Sequence, residues 1–460
     1  MSVFVDPDRL LQALERSLRQ RVLPALAEPN ARFSAECAIE MLIHLAHRRH
    51  NATIDAAQSQ RRAEELRQLT SSSVDDGAAR RITELLSADT RFYRTDDATY
   101  REALIAAAGV TASTFDPPDD AALTSVVRHA TGDESAAARF VGRAIGGNSK
   151  QTIFFEVQSG KHALRQLVMR RDLPTAERDR SSVTSEFALL QALYEKGVPV
   201  AKPLYVEADA AVLATPFMVS ERAPGKLYGN SLGLKEVPNF DPEGTLGRLL
   251  AHLHTIDVNL LDAPGFERAS ASTINWQTRI DGWISIYRQT IDVPAASLEV
   301  GLAWLRANAH LVAGAPVIVH GDVGYHNILF HEGRVSALLD WELVHTGSAA
   351  EDLAYVRSYI GKPDALIDAY VAAGGSAPNK EALTYCEVFG DVRNAIYGVV
   401  AMRQFNRGDY DDVSALPIIL SSYARYLVKL DSQLNEIIAR EGFISRSLPR
   451  QGFRGVAGEG

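Results

Sequence analysis

Cysteine is scarce in this chain. Two residues in 460, Cys37 and Cys386, cannot build a disulfide framework or a thiolate metal cage, so a reducing, cytoplasmic setting is expected. Positive charge is not in excess either. Against 57 Asp and Glu stand 48 Lys and Arg, a formal −9 that removes the electrostatic argument for generic nucleic-acid binding. No run approaches the ~20 apolar residues of a membrane span. The first ten residues hold Asp6, Asp8 and Arg9, without the apolar core of a signal peptide. Aromatic residues make up only 8%, beside 46% hydrophobic and 23% charged, an ordinary globular balance. At ~150 residues per domain, the length suggests two or three domains. These absences exclude classes of partner and leave the chemistry open.

What is present is first of all helical. Asp6-Pro7 offers an N-cap followed by proline, and Leu10, Leu11, Leu14, Leu18 and Val22 recur at helical spacing. Further runs carry Cys37, Met41, Leu42 and Leu45, then Ile82, Leu85 and Leu86. His44, His47 and His50 share a helix face, but no carboxylate cluster or HExxH pattern supports a metal site there. Asp116-Pro117-Pro118-Asp119-Asp120 breaks the pattern as a linker. After one more helix, apolar runs at 140–145, 153–157 and 164–169 read as strands, the first two flanking Gly146-Gly147-Asn148-Ser149. A helix is expected over 185–194, and short strands near 204–206 and 217–219. That order describes a small antiparallel sheet carrying one helix. From Asp241-Pro242 onward the chain reads as mainly helical, with one hairpin-like interruption between Val317 and Trp341.

That interruption holds the informative residues. His320-Gly321-Asp322 begins a polar loop that reaches Asn327, and a second apolar run ends in Asp340-Trp341-Glu342. Strand ends joined by tight loops hold side chains rigidly, which suits placing oxygen ligands around a hard cation. An acid, an amide and a second acid match phosphoryl transfer: one carboxylate takes the proton of an attacking hydroxyl, while the amide and the other acid hold Mg²⁺ against nucleotide phosphates.

These residues resemble the signature of the aminoglycoside phosphotransferase-like kinases, a superfamily that includes choline and homoserine kinases. The resemblance covers roughly Asp120 to Arg446, about two-thirds of the chain. It implies a protein-kinase-like fold of two lobes, which with the helical runs before it makes an α+β chain whose two lobes are preceded by an all-α bundle. The expected layout is a helical bundle over 1–112, read from its periodicity, an N-lobe over 119–222 and a C-lobe over 223–446, implied by the resemblance, and a loose, aperiodic tail over 447–460. It implies ATP and Mg²⁺ as cofactors, Asp322 as catalytic base, and Asn327 and Asp340 as metal ligands. The 145–152 stretch, with Gly146, Gly147, Asn148 and Ser149, resembles the loop that covers the phosphates. Arg170 stands where the family's phosphate-binding lysine is found, with Glu186 on the next helix to orient it. The Ser220 carbonyl and the Arg222 N–H are expected to face adenine. The 347–354 segment resembles a conserved family stretch, in which Asp352 is read as holding the loop.

Two shorter stretches, 167–174 and 387–393, are similar to kinase domains linked to acyl-CoA dehydrogenases, which are associated with hydroxyacyl-CoA phosphorylation. Gly324-Tyr325-His326 departs from the Arg-x-Gly common beside the acceptor, so the substrate stays open. Tyr325, His326, Glu387, Asp391 and Arg393 are the acceptor-site candidates, with Tyr385 and Tyr397 near them. The expected partners are a nucleotide and a small-molecule hydroxyl acceptor, with neither nucleic acid nor membrane; an oligomer and the use of GTP are left open. The rival expectations are a nucleotide-binding pseudokinase and a true aminoglycoside-resistance enzyme, for which Asp409, Asp411 and Asp412 could supply an acidic acceptor site.

Overall fold

The computed structural model describes residues 52–71, 77–86, 117–143, 150–160, 163–172, 182–229, 238–261, 263, 266, 274–291, 294–312, 314–407 and 416–443. The helix expected over 10–22, Cys37, the three histidines, the Gly146–Ser149 loop, the 409–412 acids and the 447–460 tail lie outside these residues.

A five-stranded antiparallel sheet is built from β1 (Ala136–Arg143), β2 (Lys150–Ser159), β3 (Arg165–Asp172), β4 (Pro203–Glu207) and β5 (Phe217–Glu221), in the order β1-β2-β3-β5-β4. Strand alternation gives it two faces. Ile153, Phe155, Leu167, Met169, Phe217 and Val219 are buried together with Leu123, Val126 and Val127. Those last three belong to a helix (α3, Asp120–Thr131) that Asp119 caps by accepting from the Ala122 N–H at 2.8 Å. The other face meets a second helix, α4 (Val183–Glu195), capped by Ser182. The sheet therefore carries two helices where the strand pattern led us to expect one. A helix after the 116–120 linker is expected from the sequence, but its packing partner is not written in its spacing.

The rest is a helical layer: α5 (Pro242–His254), α6 (Trp276–Thr290), α7 (Ala296–Ala307), α8 (Ala349–Arg357), α9 (Pro363–Ala372), α10 (Lys380–Arg407) and α11 (Leu416–Glu441). The Asp241-Pro242 start holds, with the Asp241 carboxylate accepting from the Gly244 N–H at 2.9 Å. Two antiparallel pairs interrupt the helices: β6 (Val317–Val319) with β9 (His345–Gly347), and β7 (Ile328–His331) with β8 (Arg334–Leu338). The expected hairpin is β7–β8; β6 instead pairs with a strand beyond Trp341. Among the described residues, no helix is long and apolar enough to cross a membrane.

Before the sheet come α1 (Ala52–Ser71) and α2 (77–86). Leu66, Ile82, Leu85 and Leu86 are buried in the same core as α5, α7, α10 and α11. Polar contacts tie the same place. Glu299 on α7, 4% exposed, takes both guanidinium nitrogens of Arg288 at 2.8 and 2.7 Å and lies 3.4 Å from Arg67 of α1.

Candidate active site

The loop after β6 is fixed from beneath. Gly321 has φ +85°, and a Cβ there would stand 2.9 Å from the Leu343 carbonyl oxygen, so only glycine fits. Asp352, fully buried on α8, accepts from the His320 N–H at 2.9 Å and the Gly321 N–H at 2.8 Å, and contacts His254 Nε2 at 3.3 Å. It does hold the loop. From the other side, Arg393 donates to the Gly321 carbonyl at 2.7 Å. The His320 ring spans from the Asp322 N–H, 3.2 Å from its Nδ1, to the Leu339 carbonyl, 2.9 Å from Nε2, and burial lowers its basicity.

So held, Asp322 meets three partners. Its Oδ2 accepts from Asn327 Nδ2 at 2.9 Å and lies 3.2 Å from His326 Nε2. Burial disfavours its charge, but the His326 hydrogen bond and charge, with help from Tyr355, outweigh that and hold the carboxyl at about 2. The same contact raises His326 against its own burial. Because the Asn327 amide nitrogen is committed to Asp322, its oxygen is the end left for a cation.

Asp340 follows β8 with φ +62°, a left-handed backbone that residues with a Cβ seldom adopt. Its side chain is half-exposed, yet Oδ1 is buried without a hydrogen-bond partner. Burial and the nearby Glu342 carboxylate push the group up to about 6, against the pull of Arg170. A carboxylate oxygen with no hydrogen bond, crowded by acids, is one that a hard cation could relieve, so Asp340 and Asn327 are the residues that could hold a metal here. No cluster of three or more His, Cys, Asp or Glu side chains suited to a metal exists among the described residues.

Facing Asp340 is the sheet. Arg170 lies on the α4 side of β3, where its Nη1 bonds the buried Glu186 carboxylate, and its Nη2 is 3.6 Å from Asp340 Oδ1. The expected Arg170–Glu186 pair is present. Ser220 is buried in β5, opposite Val168 of β3. The Arg222 N–H does not face the cleft as expected: it donates to the Gln166 carbonyl at 3.0 Å, while its guanidinium lies over the Phe154 ring. The β3–β5 ladder runs further than the apolar 217–219 pattern suggests, and it consumes that donor.

Beside Asp322 opens a cavity of about 530 Å³. Tyr325, His326, Glu387, Asp391 and Arg393 all line it, together with Tyr397. Tyr385 does not; its ring is fully buried and its hydroxyl donates to the Leu305 carbonyl at 3.0 Å. The acids of the cavity are paired: Asp391 with Lys429 at 2.9 Å, Glu387 with Arg357 at 3.4 Å, and Glu351 with Arg279 at 3.0 Å.

The profile of the phosphotransferase enzyme family, the APH family, matches residues 142–385, more than half of the chain. The chain belongs to that family. It is 28% identical over 243 residues to rat acyl-CoA dehydrogenase family member 11, an alignment covering 51% of this chain and 30% of the rat protein. The chicken counterpart is 30% identical over 243 residues, again covering 51% and 30%. Viomycin phosphotransferase of Streptomyces vinaceus is 36% identical over 110 residues, 23% of this chain and 34% of that enzyme. The chain thus spans about a third of the length of these relatives. A solved structure from Ralstonia eutropha, described as an aminoglycoside phosphotransferase, superposes with a TM-score of 0.53 at 20% identity, covering 69% of this chain and 98% of that one. The fold is protein-kinase-like.

Several residues at this cleft escaped sequence reasoning. Tyr355, Arg425 and Lys429 carry no local motif, and only distant chain segments bring them to the cleft; Lys150 falls within the 145–152 stretch, but nothing there singles it out. Glu351 is another, although Ser348-x-x-Glu351 spells a capping box. Arg279 and His345 outweigh its burial and hold its carboxyl at about 2. A carboxylate depressed in this way stabilises the fold above its unfolded pKa, and that contribution is lost as pH falls. Stability should therefore drop between about pH 4.5 and 2, by on the order of 3 kcal/mol from this group. Glu351→Gln should be less stable than the wild type at pH 7, with the gap closing toward pH 2; equal melting temperatures at pH 7 would refute the assignment.

Proposed function

We propose that this chain is an ATP–Mg²⁺-dependent kinase that phosphorylates a hydroxyl group of a small molecule, with Asp322 as the base. The observation that carries this reading is the meeting of Asp322, Asn327 and Asp340 at one cleft, with the Arg170–Glu186 pair across from Asp340 and the cavity opening on Asp322. Asn327 and Asp340 would hold Mg²⁺, which neutralises phosphate charge as the phosphoryl group moves. Arg170, oriented by Glu186, would take phosphate oxygens through its bidentate fork. A carboxylate as readily ionised as Asp322 is a feeble base, so its task is to orient the hydroxyl and collect its proton late. That suits a loose transition state, in which positioning and charge neutralisation supply most of the catalysis.

The paired acids of the cavity bear on the acceptor. A polycationic drug needs free carboxylates, and Glu351, Glu387 and Asp391 each already face a cation. Arg425 also lines the cavity, stacked over Tyr426, with no ion-pair partner among the described residues. A neutral or anionic hydroxy compound fits this wall better than an aminoglycoside. The test is calorimetry with ATP and Mg²⁺, then an ATP-consumption screen of hydroxyacyl-CoAs, sugars and aminoglycosides. Turnover with a hydroxylated acceptor is expected. Nucleotide binding without turnover across the panel would favour a pseudokinase, and turnover confined to aminoglycosides would overturn the reading of the cavity.

A further inference from the structure

The nucleotide cleft holds a second buried cation. Lys150 opens β2, directly after the 144–149 segment, and its side chain is only 2% exposed. In the β2–β3 register it lies opposite Asp172, two residues from Thr152, which faces Arg170, so strand alternation puts Lys150 and Arg170 on one face. Its Nζ is 2.8 Å from Glu342 Oε1 and 3.5 Å from Glu186 Oε2. Arg170 reaches the same two acids, with Glu342 at 3.9 Å, and Asp340.

Resting on the kinase reading, we propose that Lys150 is a second phosphate-binding residue, acting beside Arg170 on the nucleotide. A buried ammonium loses its hydration and is retained only where strong partners replace it. Glu186 already has Arg170, so Lys150 is not needed to neutralise it. Two cations against Glu186, Asp340 and Glu342 leave this group of side chains one negative charge in excess. A divalent cation turns the balance to one positive, and without Lys150 it would only reach zero. Within this group of side chains, Lys150 thus adds the positive charge that would favour phosphate once a metal is bound. Arg170 supplies a fixed fork; Lys150 supplies a point charge on a flexible stem that can leave Glu342 for a phosphate oxygen.

The alternative is a purely structural tie, in which Lys150 only fastens β2 to the segment after β8. Two variants separate these roles when adenosine, ADP and ATP binding are measured by calorimetry with Mg²⁺, without turnover. Lys150→Met should weaken ATP by about tenfold to a hundredfold, the range of a hydrogen bond to a charged group. ADP should fall less and adenosine should not change, while Lys150→Arg should keep most of the ATP affinity. Glu342→Gln, which breaks the tie but leaves the ammonium, should bind ATP as well as the wild type or better. Unchanged ATP affinity in Lys150→Met, or an equal loss in Glu342→Gln, would overturn the proposal and leave the kinase reading standing. Absence of nucleotide binding by the wild type would remove the kinase reading itself.

Discussion

Replacing Asp322 with Asn should slow phosphoryl transfer by about 10²–10⁴-fold, the usual contribution of a positioned general base, while ATP–Mg²⁺ affinity stays within a few-fold. The substitution keeps the shape of the side chain and lets its amide oxygen still accept from Asn327. What disappears is the charge that orients the acceptor hydroxyl and the site that receives its proton. His326, whose protonated form leans on that charge, should lose basicity in the variant. Single-turnover rates at saturating nucleotide, beside calorimetric ATP affinity, check both halves. A variant that turns over at the wild-type rate would show that the proton goes elsewhere. One that loses nucleotide binding in proportion would make Asp322 a binding residue and no base.

The second large effect falls on folding. Asp352→Ala strands two backbone N–H groups, those of His320 and Gly321, in a fully buried place and removes the anion beside His254. Breaking a buried charged contact in this way costs about 3–5 kcal/mol, a large part of the 5–15 kcal/mol that keeps typical domains folded. Urea unfolding should show a much lower midpoint with an unchanged slope. Asp352→Asn, which keeps one acceptor oxygen, should lie between the variant and the wild type. An unmoved midpoint in Asp352→Ala would mean that the loop is held by other contacts.

The legible parts of this fold are those in which neighbours in sequence are neighbours in space. Asp322 and Asn327 lie on one tight loop, so their residue types and separation already describe their meeting. Arg170 could be placed because strand alternation sends it to the side opposite Met169, toward the helix that carries Glu186. Lys150 could not, since its partner Glu342 is 192 positions away and, although each lies in a stretch that resembles the family, nothing local ties the two together. The same holds for Asp391 and Lys429, which meet only because α10 and α11 pack together. The left-handed backbone of Asp340 was equally hidden, because only the surrounding turns enforce it on a residue that would avoid it alone. The Arg222 N–H shows the reverse error: an apolar run marks where a strand is buried, whereas its hydrogen-bonded ladder extends further.

Glu299, gripped by arginines from α1 and α6, bears on where this protein can be cut. The stretch that matches the family begins at residue 142, an inviting start for a minimal catalytic fragment. Such a fragment would strip Leu66, Ile82, Leu85 and Leu86 from the core, along with α3 from its sheet. It would present bare, adhesive surfaces in two places and leave Glu299 with one arginine instead of two. Kinship and foldability are thus drawn along different borders in this chain, and a shortened version is expected to clump before it can be assayed.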